Sequence, residues 1–139
     1  MIILDTDVLS ETFKARPEPR LIKWLNAQRF VDICITSITL MEVVMGIEEM
    51  PRGNKRQNLE IALLDALRTF LKGRVLPFDE QSAWQAGRLY GRRRGGGIAV
   101  GTPDTQIAGI ALCHRATLAT GNVRHFSDLD IPVINPWDG

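Results

Sequence analysis

The sequence predicts an α/β fold with a mostly parallel central sheet, and three features carry that expectation. Short apolar runs rich in β-branched residues alternate with longer segments of helical periodicity, the pattern that βαβ crossovers leave in a chain. The opening run Ile2-Ile3-Leu4 has no polar alternation, which suits a strand covered by helices on both faces. At 139 residues, 45% hydrophobic and 24% charged, the chain fits one ordered domain, 1–139, whose core needs no covalent staple.

Taken in order, the first strand stops at Asp5-Thr6-Asp7, and a helix is expected from Val8 to Phe13, ending near Arg16-Pro17-Glu18-Pro19. Leu21, Trp24 and Leu25 then recur at helical spacing. Val31 to Ile35 reads as a second strand from its β-branched content, and Thr36-Ser37 supply hydroxyls suited to capping the next helix. That helix, about Ile38 to Met50, carries Glu42 and stops at Pro51-Arg52-Gly53. Asn58 to Leu71 places Leu59, Ala62, Leu63, Ala66, Leu67 and Phe70 on one stripe, with Lys72-Gly73 closing the helix. Val75 to Phe78 reads as a short third strand, and Asp79 caps a helix carrying Trp84 and Leu89 that ends in Arg92-Arg93-Arg94 before three glycines. Thr102, as cap, and Pro103, at the first helical position, open a helix that runs to His114. A strand at Thr117 to Thr120, a loop Gly121 to Phe126, a last strand at Pro132 to Ile134 and the tail Asn135 to Gly139 complete the chain.

A net charge of +1 neither demands nor excludes a nucleic acid partner. Cys34 and Cys113 stand far apart among apolar neighbours, without the paired spacing of zinc or redox sites, so reduced and buried thiols of a cytoplasmic protein are expected. The opening apolar run has no basic region before it and meets Asp5 too soon to be a signal peptide, and no stretch approaches membrane-spanning length.

The acids carry the chemical interest. In parallel sheets ligands gather beyond the carboxyl ends of the strands, where Asp5 would sit, although a helix cap explains an aspartate there equally well. Glu42 shares a helix face with Ile38 and Met45, so its charge needs compensation, by a basic partner or by a shared site. Asp104 stands in a first turn, where the helix dipole favours it, yet Ile107, Ala108 and Ala111 on its side turn it inward. Converging carboxylates without cysteine or histidine companions make an oxygen-rich site for a hard cation, best Mg2+ or Mn2+. Such a cation lowers the pKa of a bound water and stabilises charge on a phosphodiester, which brings metal-dependent nucleases within reach.

At this point the residues resemble a known family. Ile3-Leu4-Asp5-Thr6-Asp7-Val8-Leu9-Ser10-Glu11, Thr36-Ser37 with Glu42, Pro103-Asp104 with Ile107-Ala108, and Ala119-Thr120 with Asn122 and Phe126 look like the PIN-domain ribonucleases. Leu76-Pro77-Phe78-Asp79 and the tail Asn135-Pro136-Trp137 look most like the VapC and FitB toxins of bacterial toxin–antitoxin pairs. The resemblance implies a three-layer α/β/α sandwich, a Mg2+ or Mn2+ site, and endonucleolytic cleavage of RNA by a metal-activated water. It also implies inhibition by a cognate, VapB-like antitoxin, with a homodimer and higher toxin–antitoxin assemblies. The family's acidic residues carry over onto Asp5, Glu42 and Asp104. Two departures stand out: many members have asparagine where Asp7 stands, and many have a fourth acid where Asn122 stands, which points to one-metal chemistry.

Thr6 and Thr120, at strand ends beside the acids, have hydroxyls that can orient carboxylates or waters, or simply close turns. His114 and His125 are expected to be structural, and the three tryptophans to pack. Arg92, Arg93 and Arg94, followed by a glycine-rich approach to Asp104, can meet RNA phosphates on the way to the site, or serve only to end their helix. Two alternatives compete. One is a PIN-like module that binds RNA or antitoxin without catalysis, its site decayed at Asn122. The other is a haloacid-dehalogenase-type phosphatase with Asp5 as nucleophile and Asp7 as acid, which also needs a downstream lysine and a late acidic pair where the chain offers only the separated Asp128 and Asp130.

Overall fold

The opening apolar run forms β1 (Ile2–Leu4), which pairs in parallel with β2 (Ile33–Thr36) on one side and β4 (Thr117–Ala119) on the other. β3 (Val75–Leu76) extends the sheet beyond β2 and β5 (Val133–Ile134) beyond β4, so the order is β3-β2-β1-β4-β5 with every pairing parallel. The structure, a computed structural model, describes residues 1–97 and 101–138; the middle of the glycine-rich approach to Asp104 and the terminal Gly139 lie outside them.

The sheet is covered on both faces because side chains alternate along each strand. Leu4, Ile33, Ile35 and Ala119 face one core with residues of α1 (Thr6–Thr12), α2 (Pro19–Asn26), α3 (Ser37–Glu49) and α4 (Asn54–Arg68). Ile3, Cys34 and Leu118 face a second core with residues of α5 (Glu80–Gly95) and α6 (Thr102–His114). The expected three-layer α/β/α sandwich is what forms. Each fully buried leucine or isoleucine contributes about 1.5–3 kcal/mol by leaving water, and residues of this kind dominate both cores.

Helices α5 and α6 approach almost to backbone contact. A Cβ on Gly109 of α6 would lie 2.6 Å from Ala86 Cβ and 2.7 Å from the Ser82 carbonyl of α5, so glycine is required there. That close approach lets Arg93, at the far end of α5, reach the first turn of α6.

Several boundaries depart from expectation. Val31 is not in a strand: it is exposed in a 3-10 turn, Phe30–Asp32, and β2 begins at Ile33. Ile2 of β1 pairs with Ile33, so nothing in the sheet stands opposite Val31, and Arg74 holds the turn by donating to the carbonyls of Phe30 and Ile33. Helix α4 begins earlier and ends at Arg68, with the chain reversing through Lys72 and Gly73, both at positive φ. Thr102 is not the cap of α6; Gly101 takes that place, without a side-chain bond, and Thr102 is the first helical residue before Pro103. Trp24 and Trp137 pack against the first core, but Trp84 is 63% exposed, with Arg88 stacked on its ring. Cys34 is buried as expected, whereas Cys113 is only half-buried; neither is in a disulfide.

Candidate active site

The chain leaves β1 toward β2 and later enters β4 on the opposite side, so the carboxyl ends of β1 and β4 form the switch point where open α/β sheets bind ligands. Asp5 and Thr120 follow these strands directly. The Asp5 amide donates to the Ala119 carbonyl at 2.9 Å, and the Thr120 hydroxyl donates to Asp5 Oδ2 at 2.7 Å. Asp5 Oδ1 accepts from the Thr6 amide at 2.8 Å, which caps α1. Asp5 therefore both starts the helix and lies, 3% exposed, at the switch point.

Thr6 ties Glu42 to this place. Its hydroxyl donates to Glu42 Oε1 at 2.7 Å and lies 3.1 Å from the Thr39 hydroxyl. Helix α3 is aimed by Thr36, whose side chain at the end of β2 accepts from the Thr39 amide. Among the described residues Glu42 has no lysine or arginine partner, so a basic partner does not explain its half-buried place, and the Thr6 hydroxyl holds it without neutralising it. Thr6 and Thr120 thus orient carboxylates.

Asp7, one helical step on, turns toward β4. Its Oδ2 accepts from the Gly121 amide at 2.9 Å, while its Oδ1 is buried with no hydrogen-bond partner. A Cβ on Gly121 would stand 2.8 Å from that Asp7 oxygen and 2.9 Å from the Trp137 ring, so this close approach needs glycine. Asp104, in the first turn of α6 and partly buried, holds the Nδ1 of His125 at 2.9 Å through Oδ2. An open cleft of about 460 Å³ reaches this place at Asp7, where it is lined also by Glu11, Lys14, Gly121, Asn122 and Trp137.

The electrostatics follow from burial and crowding. Burial pushes the Asp5 carboxyl up to about 7, with the charges of Asp7 and Asp104 adding to the rise against the hydrogen bonds of Thr120 and Thr6. Asp7 is raised for the same first reason, with Asp104 again contributing. Among the described residues neither aspartate has a salt-bridge partner. The site is a pocket of mutually repelling oxygens.

Not every expected residue joins it. Arg93 is 3% exposed and cannot meet RNA: it donates to both Asp128 oxygens at 2.9 Å, to Thr105 Oγ1 at 3.1 Å and to the His125 carbonyl at 2.7 Å. This is a correction with a clear cause, since a guanidinium at the α5–α6 contact is neutralised and fully bonded by its neighbours. Arg92 and Arg94 stay exposed at the helix end, Arg94 over the Tyr90 ring at 4.7 Å. The phosphatase alternative loses its late acid, because Asp128 is engaged by Arg93. Asn122 is exposed, its amide donating to Thr120 Oγ1 at 3.0 Å. His114 is exposed in the last turn of α6. Asp7 and His125 are the residues that the reading of Asp5, Glu42 and Asp104 left out. The Asp-x-Asp spacing signalled Asp7, whereas nothing local could link His125 to an acid 21 positions away.

The model of the PIN domain family matches residues 2–132. The chain belongs to the PIN domain family. Within it, this PIN domain is 33% identical over 138 residues to a VapC ribonuclease, Y4jK, of Sinorhizobium fredii, with 99% of each chain covered. It is 32% identical over 137 residues to toxin FitB of Neisseria gonorrhoeae, again with 99% of each covered. Among solved structures it superposes with a TM-score of 0.90 on a chain of FitAB bound to a DNA fragment, at 31% identity, covering 99% of this chain and 96% of that one.

Proposed function

We propose that this PIN domain is a Mg2+- or Mn2+-dependent endoribonuclease, the toxin of a toxin–antitoxin pair. The observation that carries this reading is that Asp5, Asp7 and Asp104 lie close enough at the switch point to raise the proton affinity of Asp5 and Asp7, with no lysine or arginine paired to them among the described residues. The donor set fits a hard cation: it is all oxygen, its charge is uncompensated, and one buried Asp7 oxygen has no partner. Among the described residues no three His, Cys, Asp or Glu side chains close into a ready-made cluster.

Asp5, Glu42 and Asp104 would hold the cation, which when bound supplies a nucleophilic water and charge stabilisation at the phosphodiester. The chain's own part is positioning. Thr120 and the Thr6 amide pin Asp5 from both sides, the Thr6 hydroxyl pins Glu42, and Gly121 lets the chain pass close to Asp7. Asn122, whose backbone N–H bonds Thr120 Oγ1, brings an uncharged side chain where a fourth acid would favour a second cation, so one-metal chemistry is part of the proposal. The relatives named as ribonuclease and toxin support RNA as substrate, and the FitAB complex supports a cognate antitoxin as partner. An exposed apolar face on α3, with Met41, Val44 and Met45, and on α4, with Ile61 and Leu64, suits an antitoxin or a second copy of the chain. A cytoplasmic setting accords with the unpaired cysteines, and among the described residues no helix is long and apolar enough to cross a membrane.

The test is cleavage of single-stranded RNA in manganese by Asp5→Asn, Glu42→Gln and Asp104→Asn. Each should lose activity while keeping its circular dichroism spectrum, and a variant cleaving at the parental rate would remove that residue from the site.

A further inference from the structure

We infer that His125 is a positioning residue for Asp104, and that buried Arg93 holds the turn that carries it. The inference rests on the metal-dependent nuclease reading and deepens it. Asp104 Oδ2 meets His125 Nδ1 at 2.9 Å. An ionised carboxylate only accepts, so Nδ1 carries the hydrogen, while Oδ1 makes no hydrogen bond among the described residues. His125 sits in the 3-10 turn Val123–Phe126, whose geometry is set from three sides. The His125 amide donates to the Asn122 carbonyl at 2.9 Å, its carbonyl accepts from Arg93 Nη2 at 2.7 Å, and the next residue, Phe126, is fully buried in the second core.

Arg93 binds both halves of the pair's support. Its Nη1 donates to Thr105, the neighbour of Asp104 on α6, while Nη2 donates to the carbonyl of His125 itself. Asp128 accepts from Nε and Nη2 and neutralises the guanidinium, so the clamp adds no positive charge at the acids. The ring of His125 is 53% exposed, so its own packing contributes little to the fold, yet its backbone is locked. An exposed ring on a rigid turn, with one nitrogen committed to a site carboxylate, is the arrangement by which outer partners orient metal-binding groups. The loss of such a partner costs about 10–100-fold in metal affinity.

The experiment compares the parent with His125→Ala, His125→Asn and His125→Gln. Asparagine places its amide nitrogen where Nδ1 stands, whereas glutamine moves it outward by one bond. Titration calorimetry with MnCl2 alone is read beside kcat and KM on single-stranded RNA and melting in chelator. His125→Ala and His125→Gln should raise the Kd for manganese about 10–100-fold and lower kcat with little change in KM, while His125→Asn should recover most of both. Melting in chelator should be the same for all, because the ring is exposed. If the parent binds manganese and every variant binds it equally well, His125 does not position Asp104 and the inference falls while the nuclease reading stands. If His125→Asn is as impaired as His125→Ala, the ring acts by some property other than its Nδ1 donor, and positioning is again refuted. If the parent neither binds manganese nor cleaves RNA in its presence, the nuclease reading itself is lost and this inference with it.

Discussion

Neutralising Asp5 should make the metal-free protein more stable, and the gain should depend on pH. The carboxyl of Asp5 is pushed from 3.8 to about 7, first by burial and then by Asp7 and Asp104, so ionisation costs the folded state more than the unfolded one. Stability is therefore whole below the unfolded value and is lost as pH rises from there through the folded value. Each pKa unit is worth about 1.4 kcal/mol, so the parent loses about 2–3 kcal/mol between about pH 5 and about pH 8 through this group. Asp5→Asn removes that loss. It keeps an acceptor for the Thr6 amide but leaves the Thr120 hydroxyl without its acceptor, a cost of about 1 kcal/mol at any pH. Urea unfolding of parent and variant in chelator, at low salt, should show the variant gaining on the parent by about 2 kcal/mol over that range and ending the more stable of the two near pH 8. Saturating manganese should reverse the order, because a cation that binds only the folded parent adds about 2.7 kcal/mol at a hundredfold excess over its Kd. Parallel pH profiles for the two proteins would refute the crowding of charge, and equal stabilisation of both by manganese would refute a shared cation site.

Gly121→Ala should lower stability by about 1–3 kcal/mol in thermal melts, since its Cβ would fall 2.8 Å from Asp7 Oδ2 and 2.9 Å from the Trp137 ring; an unchanged melting temperature would mean the turn yields freely. Arg93→Met should cost about 2–3 kcal/mol by leaving the His125 carbonyl and Asp128 without their donor. Asp128 is held below the usual carboxylate range by Arg93, so the stability it lends is present above the unfolded value and lost as pH falls; the gap between Arg93→Met and the parent should narrow on acidification, and a constant gap would show that the ion pair is not its source. Arg92→Ala with Arg94→Ala, both exposed, should weaken RNA binding and flatten its dependence on salt, and an unchanged salt slope would return these residues to ending α5.

The sequence by itself determined the layers. The uninterrupted apolar run of β1 and the apolar stripe around Leu63 and Ala66 are local periodicities, and the faces they mark are the ones turned inward, with Ile3, Leu4, Leu63 and Ala66 buried. The places of Asp5 and Asp104 were legible for the same reason, since a strand end and a helix first turn are local positions with known directions. The tertiary structure alone decided which groups meet. Thr120 reaches Asp5 across 115 positions of sequence and Thr6 reaches Glu42 across 36, because β1 lies between β2 and β4 in the sheet. Arg93 looked like one of three equivalent cations and became the buried one because α5 passes α6 at glycine distance, while Arg92 and Arg94 point to water. Val31 carried strand composition and stayed outside the sheet because β1 offered it no partner. Periodicity is a property of neighbours along the chain, whereas pairing of charges and hydroxyls is a property of neighbours across it, and only packing the two cores brings those together.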